Sequence, residues 1–299
     1  MNIIVTGSLA YDHIMVFRDK FKNHILPEKV HVLNVAFNVE TLDRHFGGTA
    51  GNIAYSLTLL KEKPLIIGTV GKDFQDYKKR IRTWKCAVNG IKILPKKYTA
   101  QAFITTDLDD NQITAFHGGA MFDAHLQPLK KFVKKNDLVI ISPNGIRAMV
   151  EHAETCRKIG AKFIFDPGQA IPAFDKTNLK KALTGAEILV CNDYEWSLIC
   201  EKIDLGKNKN EIFQFVKTLI ITYGEKGSVI TTPEKTINIP VTKIKKVVDP
   251  TGCGDAYRAG ILYGIKNNWS WEKSGQLASR LAAKVAEKNG TQNHSFKLK

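Results

Sequence analysis

The sequence predicts an α/β fold: a central, mostly parallel sheet flanked by helices, with a small antiparallel sheet beside it. Three observations carry this reading. Short apolar runs at 3–6, 64–70, 137–141, 162–165, 188–191 and 219–222 have the length of buried strands. Helical patterns at 51–60, 73–86, 146–159 and 209–217 alternate with them, the rhythm of strand–helix–strand units. Two stretches break that rhythm: 28–39 partly alternates apolar and polar residues, and 99–116 reads as two strands around Asp109-Asp110-Asn111. A small sheet built from two such insertions suits a cover over a site; the other reading is a pair of surface hairpins. Sheets of the main kind bind ligands beyond the carboxyl ends of their strands.

Bulk properties narrow the class. With 299 residues, 43% of them hydrophobic, the chain buries a large core and is not disordered. It contains no apolar run long enough to span a bilayer. The opening MNIIVTGSLAYDHI starts a strand at once and lacks the basic and apolar regions of a signal peptide. Cys86, Cys156, Cys191, Cys200 and Cys253 form no CxxC pair, which argues against zinc and a disulfide framework and suits a reducing cytoplasm. The net charge of +15 raises nucleic-acid binding, yet only eight of the 44 basic residues are Arg, and the lysines are scattered rather than gathered in a tail. The expectation is no nucleic acid and no membrane partner, with a basic field that attracts small polyanions.

The stretch VVDPTGCGDAYRAG, residues 247–260, concentrates the chemistry. Residues 245–248 read as a strand and those after Cys253 as a helix. Free N–H groups at a helix start carry partial positive charge, and glycines let an anion approach them closely. Gly252, Cys253 and Gly254 thus form a candidate anion hole. Asp255 in the first turn is either a helix cap or a general base beside that hole. The chain has no GxxxxGK[ST] run, so it is not a P-loop kinase. Arg258, one turn further on, has no assignable partner in the sequence.

Asp249-Pro-Thr-Gly-Cys-Gly-Asp255 resembles the second signature of the PfkB, or ribokinase, family of carbohydrate and nucleoside kinases. That signature usually reads D-T-x-G-A-G-D; here Pro250 stands where Thr is usual and Cys253 where Ala is. Gly47-Gly48-Thr49-Ala50-Gly51-Asn52 is similar to the first signature, and Gly7-Ser-Leu-Ala-Tyr-Asp12 to the family's sugar-binding strand-loop. Asn192-Asp193-Tyr194-Glu195 matches N-x-x-E, and Thr222-Tyr223-Gly224-Glu225-Lys226-Gly227 is similar to the T-x-G-x-x-G nucleotide turn. Asn289-Gly290-Thr291-Gln292 falls where the family surrounds adenine. The matches run in family order from residue 7 to about 292. Read without the resemblance, these are also a turn before a helix, an N-capped helix and a plain hairpin.

The resemblance implies a single ribokinase-like domain over 1–299, with a β lid from insertions at about 13–42 and 97–117. It implies ATP-dependent phosphorylation of a hydroxymethyl group, with Asp255 as base and Gly252, Cys253 and Gly254 as the anion hole. Asp12, Gly48 and Asn52 would hold the acceptor. Asn192, Glu195, Thr222, Gly224, Gly227 and Asn289 would serve ATP, with Mg2+ at Glu195 through water. Asp249 and Thr251 match positions that help bind a monovalent cation such as K+ in some relatives. The variant D-P-T-G-C-G-D-A-[FY]-R-A-G resembles a bacterial subgroup of adenosine or nucleoside kinases. Met121, with Phe116 and Phe122, offers a surface for a purine face, and Gln169 an amide; core packing is the other reading of the apolar residues. The expected acceptor is a purine nucleoside, the alternative a free sugar such as ribose, a ketohexose or deoxygluconate. The expected assembly is a monomer or a homodimer through the lid.

Overall fold

The computed structural model describes every residue of the chain except 26, 33, 110, 207, 208 and 299. In chain order the elements are β1 (Ile3–Thr6), β2 (Ala10–Phe17), β3 (Val39–Gly47), α1 (Thr49–Leu59), β4 (Leu65–Val70), α2 (Gln75–Thr83) and β5 (Ile91–Ile93). Then come β6 (Ala100–Thr106), β7 (Gln112–His117), β8 (Leu138–Ile141), α3 (Ile146–Ile159), β9 (Lys162–Phe165), α4 (Lys176–Leu183) and β10 (Ala186–Asn192). The chain continues through α5 (Asp193–Ile203), β11 (Val216–Thr222), β12 (Ser228–Thr231), β13 (Thr236–Ile239), α6 (Cys253–Lys266) and α7 (Trp271–Ala286).

The main sheet has the order β13-β12-β11-β10-β9-β8-β1-β4-β5. Pairings from β5 across to β11 are parallel, and β12 and β13 close one edge antiparallel. Its inner strands are mainly apolar because both faces are covered. Alternating side chains divide them: Ile3 and Val5 of β1 pack with α1, α2, α6 and α7, whereas Ile4 packs on the other face with α3, α4 and α5. From β1 the chain winds outward first through β4 and β5, then the other way through β8 to β11. That reversal opens a crevice beyond the carboxyl ends of β1 and β8.

A separate small sheet has the order β3-β2-β6-β7. Its outer pairings, β2–β3 and β6–β7, are antiparallel, while β2 and β6 run parallel in the middle. The expected second sheet is therefore present, although its strands differ from the predicted ones. Residues 28–39 were expected to be extended; instead a 3-10 turn spans Pro27–Val32 and the strand begins at Val39. From Val39 to Arg44 the side chains of β3 are exposed on both faces, so this strand carries no apolar alternation to read. The turn between β6 and β7 is where the Asp109-Asp110-Asn111 pattern put it, with Asp110 outside the described residues. Asp107 holds it by accepting from the N–H groups of Asp109 and Asn111, each at 2.9 Å.

Two further expectations fail. The helix at 209–217 is a 3-10 turn, Lys209–Gln214, because Val216 is already committed to the β10 ladder opposite Ala186. The strand at 245–248 is a loop: Val247 and Val248 are exposed, and Val248 donates its N–H to Ala286 O rather than to a neighbouring strand. Among the described residues no helix is long and apolar enough to cross a membrane.

Candidate active site

The carboxyl ends of β1, β8, β9, β10 and β11 and the start of α6 meet along one edge of the main sheet, with β2 and β3 of the small sheet leading away from it. Asp12 lies on β2, opposite His45 of β3. A side chain at Gly47 would collide with the Asp12 carboxylate. Gly48 has φ +86°, and a Cβ there would lie 2.6 Å from Ser8 O and 2.7 Å from Ala10 N. Glycine is thus required for the β3–α1 turn to lie against the loop after β1. Ser8 completes that contact by accepting from Thr49 N–H at 3.0 Å.

Asp255 sits in the first turn of α6. Gly252, the residue before the helix, has φ +82° and lies against the Thr291 side chain. The N–H groups of Gly252, Gly254 and Asp255 make no hydrogen bond among the described residues, whereas Cys253 N–H bonds Pro250 O at 3.2 Å. Three N–H groups therefore stay free for an anion at this helix start, with Cys253 already committed. The Cys253 thiol donates to Ala282 O at 3.4 Å and burial pushes it up to about 11, so little of it is thiolate at neutral pH.

Asn52, expected on the acceptor, donates its Nδ2 to Asp255 Oδ2 at 2.8 Å. Its Oδ1 accepts from Thr291 Oγ1 at 2.7 Å and from Gln292 Nε2 at 2.9 Å. The Asp255 carboxylate on one side and the Gln292 amide on the other orient Asn52, so its nitrogen faces the carboxylate. Gln292 Nε2 also donates to Tyr77 OH at 2.6 Å, and Tyr77 OH donates to Gly47 O at 2.7 Å. Thr291 and Gln292 thus turn inward to the acceptor side, while Asn289 is exposed and lends its carbonyl to Asn293. The role of Thr291 and Gln292 behind Asn52 had no signal in the sequence beyond their nearness to Gly290.

The electrostatics tie these residues into one site. Burial raises the Asp255 carboxyl to about 6, against the lowering effect of Arg258 and the Asn52 hydrogen bond; Glu195 adds to the rise. Burial also raises Asp12 to about 6; His45 opposes the rise, and Asp255 and Asp249 add to it. The Asp249 carboxylate accepts from Thr251 N–H at 2.9 Å and Gly290 N–H at 3.0 Å, pinning the loop before α6 to the segment after α7.

Asn192 and Glu195 form a complete capping box on α5: Asn192 Oδ1 accepts from Glu195 N–H at 2.7 Å, and Glu195 Oε2 from Asn192 N–H at 2.9 Å. The box aims Glu195 at the site, where Asp166, Asp255 and Arg258 all feel its charge. Thr222, Gly224 and Gly227 form the hairpin between β11 and β12, with Gly224 facing open space at φ +58°. Ser228 beside it contacts Tyr257 OH of α6 at 2.7 Å, which brings this hairpin to the flank of the same helix. Met121 is buried with Ala10 and Ala100 beneath the small sheet, so it packs as core; Gln169, after β9, is exposed. Phe122 and Phe116 are exposed, and Phe122 lines an open pocket with Tyr98 and His117.

The chain matches the description of a pfkB family carbohydrate kinase over residues 6–297. It is 30% identical to a nucleoside kinase from Methanocaldococcus jannaschii across 98% of this chain and 92% of that protein. The structure of a nucleoside kinase from Burkholderia thailandensis in complex with inosine superposes with a TM-score of 0.88 at 41% identity, covering 98% of this chain and 94% of that one. The same enzyme in complex with ADP-inosine gives 0.84 at 44% identity, over 98% and 91% of the two chains. The order of the elements, the two signatures and these likenesses over nearly the whole length agree: the chain belongs to the pfkB family of carbohydrate kinases.

Proposed function

We propose that this protein transfers the terminal phosphoryl group of ATP to the 5′-hydroxyl of a purine nucleoside. One observation carries the reading: Asp12, Asn52 and Asp255 converge beside the free N–H groups of Gly252 and Gly254. Asp12 accepts hydroxyl hydrogens of the ribose. Asp255 takes the 5′-hydroxyl proton as the oxygen attacks, and the N–H groups stabilise the charge on the phosphoryl group. The acceptor O–P bond forms as the bond to the leaving ADP oxygen breaks. The purine has a floor: His45, Asp12, Ala102 and Phe116 form one row across the small sheet, so Ala102 leaves space between the ribose carboxylate and an exposed aromatic ring. The small sheet acts as the lid, within a single domain, and excludes water from the phosphoryl group.

Among the described residues no group of three or more His, Cys, Asp or Glu side chains is placed to hold a metal. Mg2+ is commonly bound by one or two carboxylates together with nucleotide phosphates. Glu195, whose Oε1 has no hydrogen bond among the described residues, is the carboxylate in reach, and Mg2+ would neutralise phosphate charge there. Thr222, Gly224 and Gly227 lie on the ATP side, and Asn289 at its margin. Asp249 and the Thr251 segment are a place for K+. The five cysteines, scattered along the sequence without a CxxC pair, suit the cytoplasm. Leu42, Phe103 and Ile113, exposed on the far face of the small sheet, suit a homodimer joined there, with a monomer as the other form.

The test is ATP consumption with Mg2+ and one acceptor at a time: adenosine, inosine, guanosine, cytidine, ribose and fructose. Turnover with purine nucleosides is expected; turnover with free sugars alone would discard the purine pocket. The pH profile follows from the carboxylates. Asp255 must be ionised to accept a proton, so turnover should fall as pH drops through about 6, with Asp12 titrating in the same window. Asn52 stabilises the ionised form. Thr291→Val and Gln292→Leu loosen Asn52 and should shift that acid limb to higher pH, by up to roughly one unit. An unmoved limb in both variants would show that Asn52 is held without them.

A further inference from the structure

Arg258 is buried at 8% exposure, three residues after Asp255 on α6. Asp166, at the carboxyl end of β9, grips it at two points: Nη2 donates to Oδ1 at 2.7 Å, and Nε lies 2.5 Å from Oδ2. Asp166 is 1% exposed, and its own N–H bonds Ile141 O of β8 at 2.9 Å, so the gripping carboxylate is anchored in the sheet. One hydrogen bond and one close ion-pair contact hold the guanidinium against the carboxylate, with Nε itself left without a hydrogen bond. Nη1 likewise makes no hydrogen bond among the described residues. Nη1 lies over Gly254: a Cβ there would come within 2.7 Å of it. Gly254 is thus glycine for a reason its φ does not supply, since the guanidinium occupies the space a side chain would fill.

The surroundings argue for more than a tie between strand and helix. A buried ion pair contributes little net stability compared with apolar packing, because both charges must leave water. This one stands between Asp255 and Glu195, whose charges both act on it, and beside the N–H groups that are free at the start of α6. Arg258 also restrains the burial-driven rise of Asp255, so the carboxylate stays ionised to lower pH than burial alone would allow.

We propose that Arg258 is a catalytic residue whose Nη1 donates to the phosphoryl group in flight, with Asp166 as the positioning residue that aims it. The assignment rests on the kinase reading above. Arg258 forms no covalent bond and keeps its proton throughout; the acceptor proton goes to Asp255. Its contribution is fixed positive charge where negative charge gathers on the transferring oxygens.

The test compares wild type with Arg258→Met, Arg258→Lys and Asp166→Asn, using adenosine or inosine with ATP and Mg2+ and counting only folded enzyme. Arg258→Met should lower kcat by about 10²–10³, the cost of losing one such donor, with nucleoside Kd within about threefold. Arg258→Lys keeps the charge without the fork and should recover roughly tenfold of that loss. Asp166→Asn should reduce kcat with little change in KM. Binding of ADP with aluminium fluoride and nucleoside, which mimics the phosphoryl group in flight, should weaken in step with kcat. A merely structural pair would lower the melting temperature and leave kcat and the fluoride complex unchanged, and that result overturns the assignment. If Arg258→Met does not fold, the Lys and Asn variants decide: kcat within about threefold of wild type in both overturns it. Wild type without acceptor-dependent turnover would instead overturn the kinase reading, and this assignment with it.

Discussion

Asp255→Asn should lower kcat by about 10²–10⁴ while the nucleoside still binds, since general-base catalysis contributes on that scale. The substitution is nearly isosteric and leaves Asn52 Nδ2 a carbonyl oxygen to donate to, so the chain Tyr77–Gln292–Asn52 need not rearrange. It removes the proposed proton acceptor. The neutral amide no longer titrates, so residual turnover should also lose the part of its acid limb near pH 6 that Asp255 supplies. Isothermal titration with nucleoside alone, beside steady-state kinetics, separates the two effects. Near-normal kcat in a correctly folded Asp255→Asn protein would remove Asp255 as the base and leave it as a partner of Asn52 and of the helix dipole.

Gly48→Ala should be the most damaging single methyl group on the acceptor side. The residue combines φ +86° with backbone atoms on three sides: Ser8 O, Ala10 N and Leu9 Cα all lie within 2.8 Å of where the Cβ would be. None is the end of a flexible side chain, so the β3–α1 turn must move away from the loop after β1. A destabilisation of about 2–4 kcal/mol is expected from strain and displacement together. The Ser8–Thr49 contact should open as well, weakening acceptor binding beyond what unfolding explains. Gly224→Ala is the control: it too has positive φ, +58°, but nothing lies within 4 Å of its Cβ position. It should cost only the backbone term, about 1–2 kcal/mol. Urea denaturation of both decides the point, and equal losses would mean that the neighbours of Gly48 do not matter.

How much of this was legible in the sequence depended on whether a residue's role is local. The parallel strands were readable because burial on both faces leaves unbroken apolar runs, as in 138–141 and 188–191. The glycines at 47, 48, 252 and 254 were readable because a close approach has few other solutions. β3 was not, since an exposed strand has no pattern to show, and Val247-Val248 misled because two β-branched residues sit in a loop. Asn52 was identified as a site residue, but its bond to Asp255 depends on Thr291 and Gln292, polar residues without periodicity. Arg258 stood in plain view with no partner, because Asp166 is 92 positions away.

The hydrogen bonds of Asn52 span 203 residues to Asp255, 239 to Thr291 and 240 to Gln292. Contacts so distant along the chain form only after long loops have closed, so they belong to the late stages of folding. A refolding experiment should therefore see helix and sheet signals return before competence to turn over substrate. Any partly assembled state with loose packing between α1 and α6 would hold its strands and still be inert. Such a kinase is silent until its architecture is complete, which protects the cell's ATP from half-made enzyme.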